Sequence, residues 1–323
     1  MAGVLVFGDT VGGALAPASL EMAVAGAALA QALNEPLTGA LIGDDLAAVA
    51  AEFNGGFATL HLIEGKHLRP YTARSAIAAA KAAIDAAAPS VVLFPHTLET
   101  REWVPRLAAM LDTGLVMDCT ALNAEGSDLV VSKPVYGGGV TAQYVVRGNI
   151  RLVTVRTGVF EARAGAATGA VNKIAAVEPA AGRVTLIDEA KAAAASGVRL
   201  KDAKVIVSGG RGLGGPANWH YIEETAAAIG GAVGCSRPVA DSGWVSSAHQ
   251  VGLSGTSVKP DLYIAVGISG AVQHLAGISN SSTVVAINLD GDADMFTRAN
   301  YGVVGDYKDV LPGFIERAKQ LRG

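Results

Sequence analysis

The sequence predicts an α/β chain of two domains, each built on a largely parallel sheet flanked by helices. Three observations carry that prediction. Short apolar, β-rich runs alternate with stretches of helical spacing along most of the chain. At 323 residues the chain is long for a single hydrophobic core. Half of the residues are hydrophobic and only 17% are charged, the balance of a compact, well-buried protein rather than a disordered one.

Taken in order, Val4–Phe7 reads as a short buried strand. Pro17–Leu33 has helical spacing, with Leu20, Val24, Ala27 and Ala28 expected on the buried face. Leu60–Ile63 and Val91–Phe94 are further strands. Helices are expected over Pro70–Ala87 and over Thr100–Leu111, the latter burying Trp103, Leu107 and Leu111. From Asp128 to Val155 no helix fits. Val130–Val131, Gln143–Val146 and Leu152–Val155 read there as strands of an antiparallel or mixed edge. Residues 161–200 are rich in Ala and Gly, and Val184–Ile187 could add one strand to the first sheet. The expected division is an amino-terminal domain over 1–187, a linker over 188–203 and a second α/β domain over 204–323. That second domain opens with a strand at Lys204–Ser208 and a helix at Ala217–Ile229, with Pro216 near its first turn. Strands follow at Ala232–Cys235, Leu262–Val266 and Val284–Asn288, and a helix at Val310–Leu321 closes the chain.

Several function classes are disfavoured. The net charge is −4 and no basic run or stripe is present, which argues against nucleic acid as a partner. Cys119 and Cys235 are far apart and form no CxxC pair, so two buried free thiols are expected, with no disulfide and no zinc site. The start MAGVLVFGD has neither a basic segment nor a long apolar core, and the Ala-rich stretches are broken by charges, Gly or Pro. A soluble, cytoplasmic protein with no direct membrane insertion is therefore expected. No nucleophile elbow, zinc-protease motif, GKS/GKT loop or paired carboxylates at a strand end occurs. A cofactor that brings its own chemistry suits such a chain better than acid–base catalysis by side chains.

The segment from Val205 to Tyr307 is the most informative. Four apolar runs end there in Gly, Ser, Arg or Asn. Backbone amides at such strand ends can approach phosphates closely. Gly210-Arg211-Gly212-Leu213-Gly214-Gly215 fits G-x-G-x-x-G after a strand and before a helix. It fits a tight turn that needs glycines equally well. The next strand ends Gly234-Cys235-Ser236-Arg237, and an Arg there could suit a 2′-phosphate, which keeps an NADP-dependent oxidoreductase open as the alternative. The stronger element is Val266-Gly267-Ile268-Ser269-Gly270-Ala271-Val272-Gln273-His274, a strand ending in a Gly/Ser turn and a helix start suited to a diphosphate. Gly252-Leu253-Ser254-Gly255-Thr256, taken alone, is only a polar turn. Asn288 could bind a nucleotide or merely satisfy the backbone, and Asp306 could take a ribose hydroxyl or stand as a solvated acid.

Together these segments closely resemble the carboxy-terminal, nucleotide-binding FAD domain of the electron transfer flavoprotein α subunit family. Residues 92–122 and 133–160 resemble its amino-terminal domain through LDTGL, KPVYGGG and TVRTGVF. The resemblance implies a non-enzymatic electron carrier with FAD as cofactor. It further implies an electron transfer flavoprotein β subunit as partner, a flavin dehydrogenase such as an acyl-CoA dehydrogenase as donor, and a quinone reductase or similar acceptor. It implies that Arg211 and Ser236 line the FAD site and that Arg237 lies beside the isoalloxazine ring. Val251, Gly252, Leu253 and Ser254 would form the flavin-side turn, with the hydroxyl of Ser254 near flavin N5. Ser269, Gly270, Ala271, Val272, Gln273 and His274 would hold the diphosphate and ribityl portion, with His274 reaching toward the pyrimidine edge. Asn288, Asp306 and Tyr307 would bind the adenosine end. One position departs from the family pattern: many members carry Gln where this chain has Leu253, so an amide is lost there while Ser254 keeps the hydroxyl.

Overall fold

The computed structural model describes residues 3–162, 169–179, 187 and 200–322. It divides into two compact units, 1–189 and 190–323. Most of the strand expected at 184–187 and most of the linker expected at 188–203 lie outside the described residues.

In the amino-terminal unit, β1 (Val4–Phe7) leads through a small hairpin, β2 (Thr10–Val11) and β3 (Ala14–Leu15), into α1 (Pro17–Leu33). Then come β4 (Leu37–Gly43), α2 (Ala47–Phe53), β5 (Thr59–Glu64), α3 (Ala73–Ala87), β6 (Val91–Pro95) and α4 (Leu98–Met110). The strands β7 (Leu115–Cys119), β8 (Ala121–Glu125), β9 (Asp128–Val135), β10 (Val140–Val146), β11 (Arg151–Val155) and β12 (Ala170–Ala175) complete it. Seven strands form a parallel sheet in the order β12-β5-β4-β1-β6-β11-β7. A separate antiparallel sheet has the order β10-β9-β8. The antiparallel expectation over 128–155 thus holds for Val130–Val131 and Gln143–Val146. It fails for Leu152–Val155, an inner parallel strand between β6 and β7. The reason is burial on both faces: Leu152, Val153, Thr154 and Val155 are all fully enclosed, so the run has no polar side to turn to water.

Successive residues of β1 feed opposite cores. Val4 and Val6 pack with Met22, Leu29 and Leu41, whereas Leu5 and Phe7 pack with Phe94, Trp103 and Ile84. The limits of α1 are as expected, but its buried face is not. Met22, Ala25, Gly26 and Leu29 face the sheet while Ala27 and Ala28 are exposed. A nearly uniformly apolar helix carries little phase information, and the close approach at Gly26 decides its rotation: a Cβ there would stand 2.3 Å from Val6 Cγ2. The helix expected at Pro70 starts at Ala73 because Thr72 accepts a hydrogen bond from the Ser75 amide at 3.2 Å and caps it.

The second unit runs β13 (Val205–Gly209), α5 (His220–Ile229), β14 (Ala232–Cys235), α6 (Arg237–Asp241) and β15 (Leu262–Val266). It continues with α7 (Val272–Gly277), β16 (Thr283–Asn288), α8 (Met295–Arg298), β17 (Tyr301–Val304) and α9 (Tyr307–Arg322). One parallel sheet has the order β14-β13-β15-β16-β17. Its two faces bury separate clusters, one around Ile222, Trp219 and Leu311 and the other around Tyr263, Ile206 and Met295. The expected helix at Ala217 is a short 3-10 turn, Pro216–Asn218, followed by α5. Both cysteines are buried and free.

Candidate functional site

Counted from β13, the strand order of the second unit is 2-1-3-4-5. In such a sheet the chain leaves β13 first to one side and then to the other, and a crevice opens outside the carboxyl ends of β13 and β15. The candidate residues hang from this row of strand ends. Arg211 follows β13, and Ser236 and Arg237 follow β14. Ser269–His274 follow β15, Asn288 ends β16, and Asp306 and Tyr307 follow β17. Val251–Ser254 come from a later turn. That turn joins the row through Val251 N–H donating to Cys235 O and Leu253 N–H donating to Gln273 O, both at 2.9 Å. Across five strands the row is roughly 19 Å wide at the usual strand spacing, which suits an extended ligand.

The glycine pattern at 210–215 has a structural task. Gly210 N–H donates to Val266 O at 2.8 Å and Gly212 N–H to Gly267 O at 2.9 Å. A Cβ at 210 would stand 2.1 Å from Gly267 O, and one at 212 would stand 2.7 Å from it. These glycines let the two loops at the crevice touch. The pattern does not run directly into a helix, because the turn at Pro216–Asn218 intervenes before α5 begins at His220. The loop after β15 does: Gly267 (φ 62) and Gly270 (φ 91) take left-handed backbone and deliver the chain to α7. A Cβ at Gly270 would fall 2.1 Å from Met295 N. His274 and Leu275 N–H both donate to Ala271 O, at 2.8 and 3.0 Å, so the amides of Val272 and Gln273 are the first-turn donors that the helix itself does not use.

His274 is the third residue of α7 and is only 6% exposed. Its Nε2 lies 2.9 Å from the hydroxyl of Tyr263, a fully buried residue of β15. Its Nδ1 has no hydrogen-bond partner. Burial lowers its pKa to about 4, with the nearby Val251 carbonyl opposing the shift. That carbonyl favours an N–H on the ring but does not complete a hydrogen bond to it. At neutral pH His274 is therefore an uncharged imidazole, acting through hydrogen bonding and not through charge. In the neighbouring turn Gly252 has φ 141, Leu253 is 46% exposed, and Ser254 Oγ accepts a hydrogen bond from Gln250 Nε2 at 2.8 Å.

The other candidates are partly committed to the fold. Arg237 opens α6 with a largely exposed side chain, its Nε 3.2 Å from Asp241 Oδ2, while Ser236 is buried. Arg211 is exposed at its loop. Asn288 Nδ2 donates to Ile268 O at 3.0 Å, tying the end of β16 to the loop after β15. Asp306 Oδ1 accepts from Lys308 N–H at 2.9 Å at the start of α9, leaving its second oxygen. Tyr307 turns inward: its ring is buried, and its hydroxyl donates to Leu213 O at 2.9 Å.

Residues 199–279 match the family model described as the electron transfer flavoprotein FAD-binding domain, and residues 4–179 match that of the electron transfer flavoprotein domain. The chain is 44% identical to an electron transfer flavoprotein subunit alpha of Thermoanaerobacterium thermosaccharolyticum over 239 residues, 72% of each chain. It is 35% identical to the corresponding subunit of Bacillus subtilis over 98% of both chains. It is also 35% identical to Protein FixB of Clostridium saccharobutylicum, covering 99% of this chain and 97% of that one. The chain belongs to the electron transfer flavoprotein α subunit family.

In this α subunit the cofactor is FAD, and the matched FAD-binding segment contains the glycine loops, the 250–256 turn and α7. The NADP reading loses its ground, because the glycine loop packs on Gly267 and no long helix opens at its end. An orphaned imidazole nitrogen and a left-handed glycine cradle fit a polar, phosphate-bearing flavin nucleotide. A cleft at the β1/β6 switch point of the amino-terminal sheet is lined by Asp9, Arg69, Tyr71, Glu99 and Trp103. It is a cavity of ≈ 50 Å³, room for a few waters and not for a dinucleotide. Among the described residues no group of acids, His and Cys could hold a metal, and no helix is long and apolar enough to cross a membrane. Sequence reading missed Gln250 and Tyr263 as parts of the site. Gln250 acts through Ser254, four positions on, and Tyr263 through His274, eleven positions on; the one available signal was a polar residue two positions before the Gly252–Thr256 turn.

Proposed function

We propose that this subunit carries FAD across the strand ends of its second unit and serves, with a β subunit, as a cytoplasmic electron carrier. It accepts electrons from flavin dehydrogenases such as acyl-CoA dehydrogenases and delivers them to a quinone reductase or a similar acceptor. Bound FAD supplies the electron-carrying chemistry; the chain binds, orients and tunes. The amides at the start of α7 and the side chain of Ser269 would receive the diphosphate, and Asp306 a ribose hydroxyl. Ser254 would donate to flavin N5, and His274 and Arg237 would stabilise negative charge toward the pyrimidine edge. The observation that carries this reading is the pair of touching glycine-rich loops in a row of five parallel strand ends, beside a buried imidazole whose Nδ1 has no partner. The absence of a nucleophile or a catalytic carboxylate pair in the sequence agrees with electron transfer, which needs closeness and a tuned potential.

The test is anaerobic mixing of the purified two-subunit complex with a catalytic amount of acyl-CoA dehydrogenase and its substrate. Bleaching of the flavin absorbance, and its return on adding a quinone reductase with quinone, is the expected result. A complex that holds flavin but accepts electrons only from a nicotinamide nucleotide would overturn the donor assignment.

A further inference from the structure

A hydroxyl has one proton to donate and two lone pairs with which to accept. On the protein side, one lone pair of Ser254 accepts from the amide of Gln250, Nε2 to Oγ 2.8 Å. An N–H pointing at that oxygen repels its O–H, so the serine proton must turn away from Gln250. Ser254 is exposed, and away from Gln250 means outward. Gln250 is well placed to impose this orientation, because it is 8% exposed and its backbone is held on both sides. Its N–H donates to Ser247 O at 3.0 Å, and its carbonyl accepts from Thr256 N–H at 2.8 Å. Gly255 closes over it so tightly that a Cβ there would stand 2.4 Å from Gln250 O and 2.9 Å from its Cγ.

We propose that Gln250 is a positioning residue that fixes Ser254 as a hydrogen-bond donor toward the flavin. The proposal rests on the reading above that Ser254 faces flavin N5. The oxidised flavin presents a lone pair at N5, so only the outward proton makes an attractive contact. If the amide were reversed, its oxygen would draw the serine proton inward and set two lone pairs against each other. The neighbouring side chain cannot compensate, because Leu253 has no hydrogen-bonding group. The polarity of one buried amide thus decides whether this edge of the site attracts or repels the cofactor.

The test compares FAD with 5-deaza-FAD, in which a C–H replaces N5 and removes the acceptor. The two-subunit complex is stripped of flavin and titrated with each at pH 8. The parent protein should prefer FAD by about tenfold, the equivalent of one hydrogen bond of ~1.4 kcal/mol. Ser254→Ala should bring the ratio of affinities close to one. Gln250→Glu keeps the shape but presents an acceptor to the serine proton, and should do the same. Gln250→Met keeps the volume without either hydrogen-bonding atom, and should reduce the preference by about threefold. It also keeps the proposal testable if the Glu variant fails to fold. A general loss of fit would weaken both ligands alike and leave the ratio unchanged. If Ser254→Ala retains the parent ratio, the placement of Ser254 at N5 fails and the proposal falls with it. If Ser254→Ala abolishes the preference while the folded Gln250 variants keep it, the placement stands and the role of Gln250 is overturned.

Discussion

His274 gives the second unit a dependence on pH that can be assigned a sign. Its folded pKa of about 4 lies below the ordinary 6.5, so between those values the unfolded chain binds more protons than the folded one. Stability should be complete above about pH 6.5 and should be lost as pH falls toward 4, by up to about 3 kcal/mol. Urea unfolding of the flavin-free protein between pH 7 and 4.5 should show this fall, and His274→Gln should make the profile flatter. An identical slope in both proteins would mean that other groups carry the acid sensitivity. At this scale the sequence revealed residue types and their strand-end positions but not what they touch. Tyr307 shows the limit. The resemblance placed it at the adenosine end, and the structure adds what no sequence pattern shows, a hydroxyl bonded to Leu213 O. Tyr263, read only as one residue of a strand, holds the imidazole.

At the scale of elements, the contact between the loops after β13 and β15 is the tightest constraint on the crevice. Gly210→Ala would force a Cβ to within 2.1 Å of Gly267 O, a backbone atom that cannot swing aside. The loops must separate, at a cost of about 1–3 kcal/mol. The expected outcome is a lower melting temperature together with weaker FAD retention. Gly215→Ala, where nothing lies within 4 Å, should leave both nearly unchanged. Equal behaviour of the two variants would show that loop contact does not shape the site. Elements were mostly legible where burial writes a clear pattern, although the buried β4, with Gly39 and Gly43 interrupting its apolar run, was missed. β14 and β15 were placed to the residue, and β16 to within one, because each is a short apolar run closed by Ser, Gly or Asn. β17 was missed because Tyr301–Val304 is an exposed edge strand, where packing imposes little pattern. β7 and β8 were missed for a related reason, since most of their residues are only half-buried. The short α2 offered only two turns of periodicity.

At the scale of the whole molecule, the two-domain α/β class was readable from alternation and length, and the family from the segments after Val205. The site as a cooperative network was not readable, because its hydrogen bonds join residues separated by up to 94 positions, as Leu213 and Tyr307 are. Large apolar side chains remain uncovered on the second unit, among them Tyr301 at 69%, Leu289 at 65% and Val304 at 64% exposure. Such surface is consistent with a subunit that needs a partner. Expressed alone, the chain should hold FAD at a low fraction of its sites or precipitate, and co-expression with its β subunit should restore a flavin ratio near one per complex. A stable, flavin-saturated single chain in size-exclusion chromatography would contradict this.

The hydroxyl of Tyr307 has one more consequence. It lies at the head of α9, yet it fastens the loop that follows β13, the first strand of its unit. A ribosome makes that loop about a hundred residues before it makes the tyrosine that secures it. During synthesis the glycine loop can meet Val266 and Gly267 first, and it gains its Tyr307 anchor only when α9 arrives. The last hydrogen bond to close this loop is therefore also among the last the ribosome makes possible.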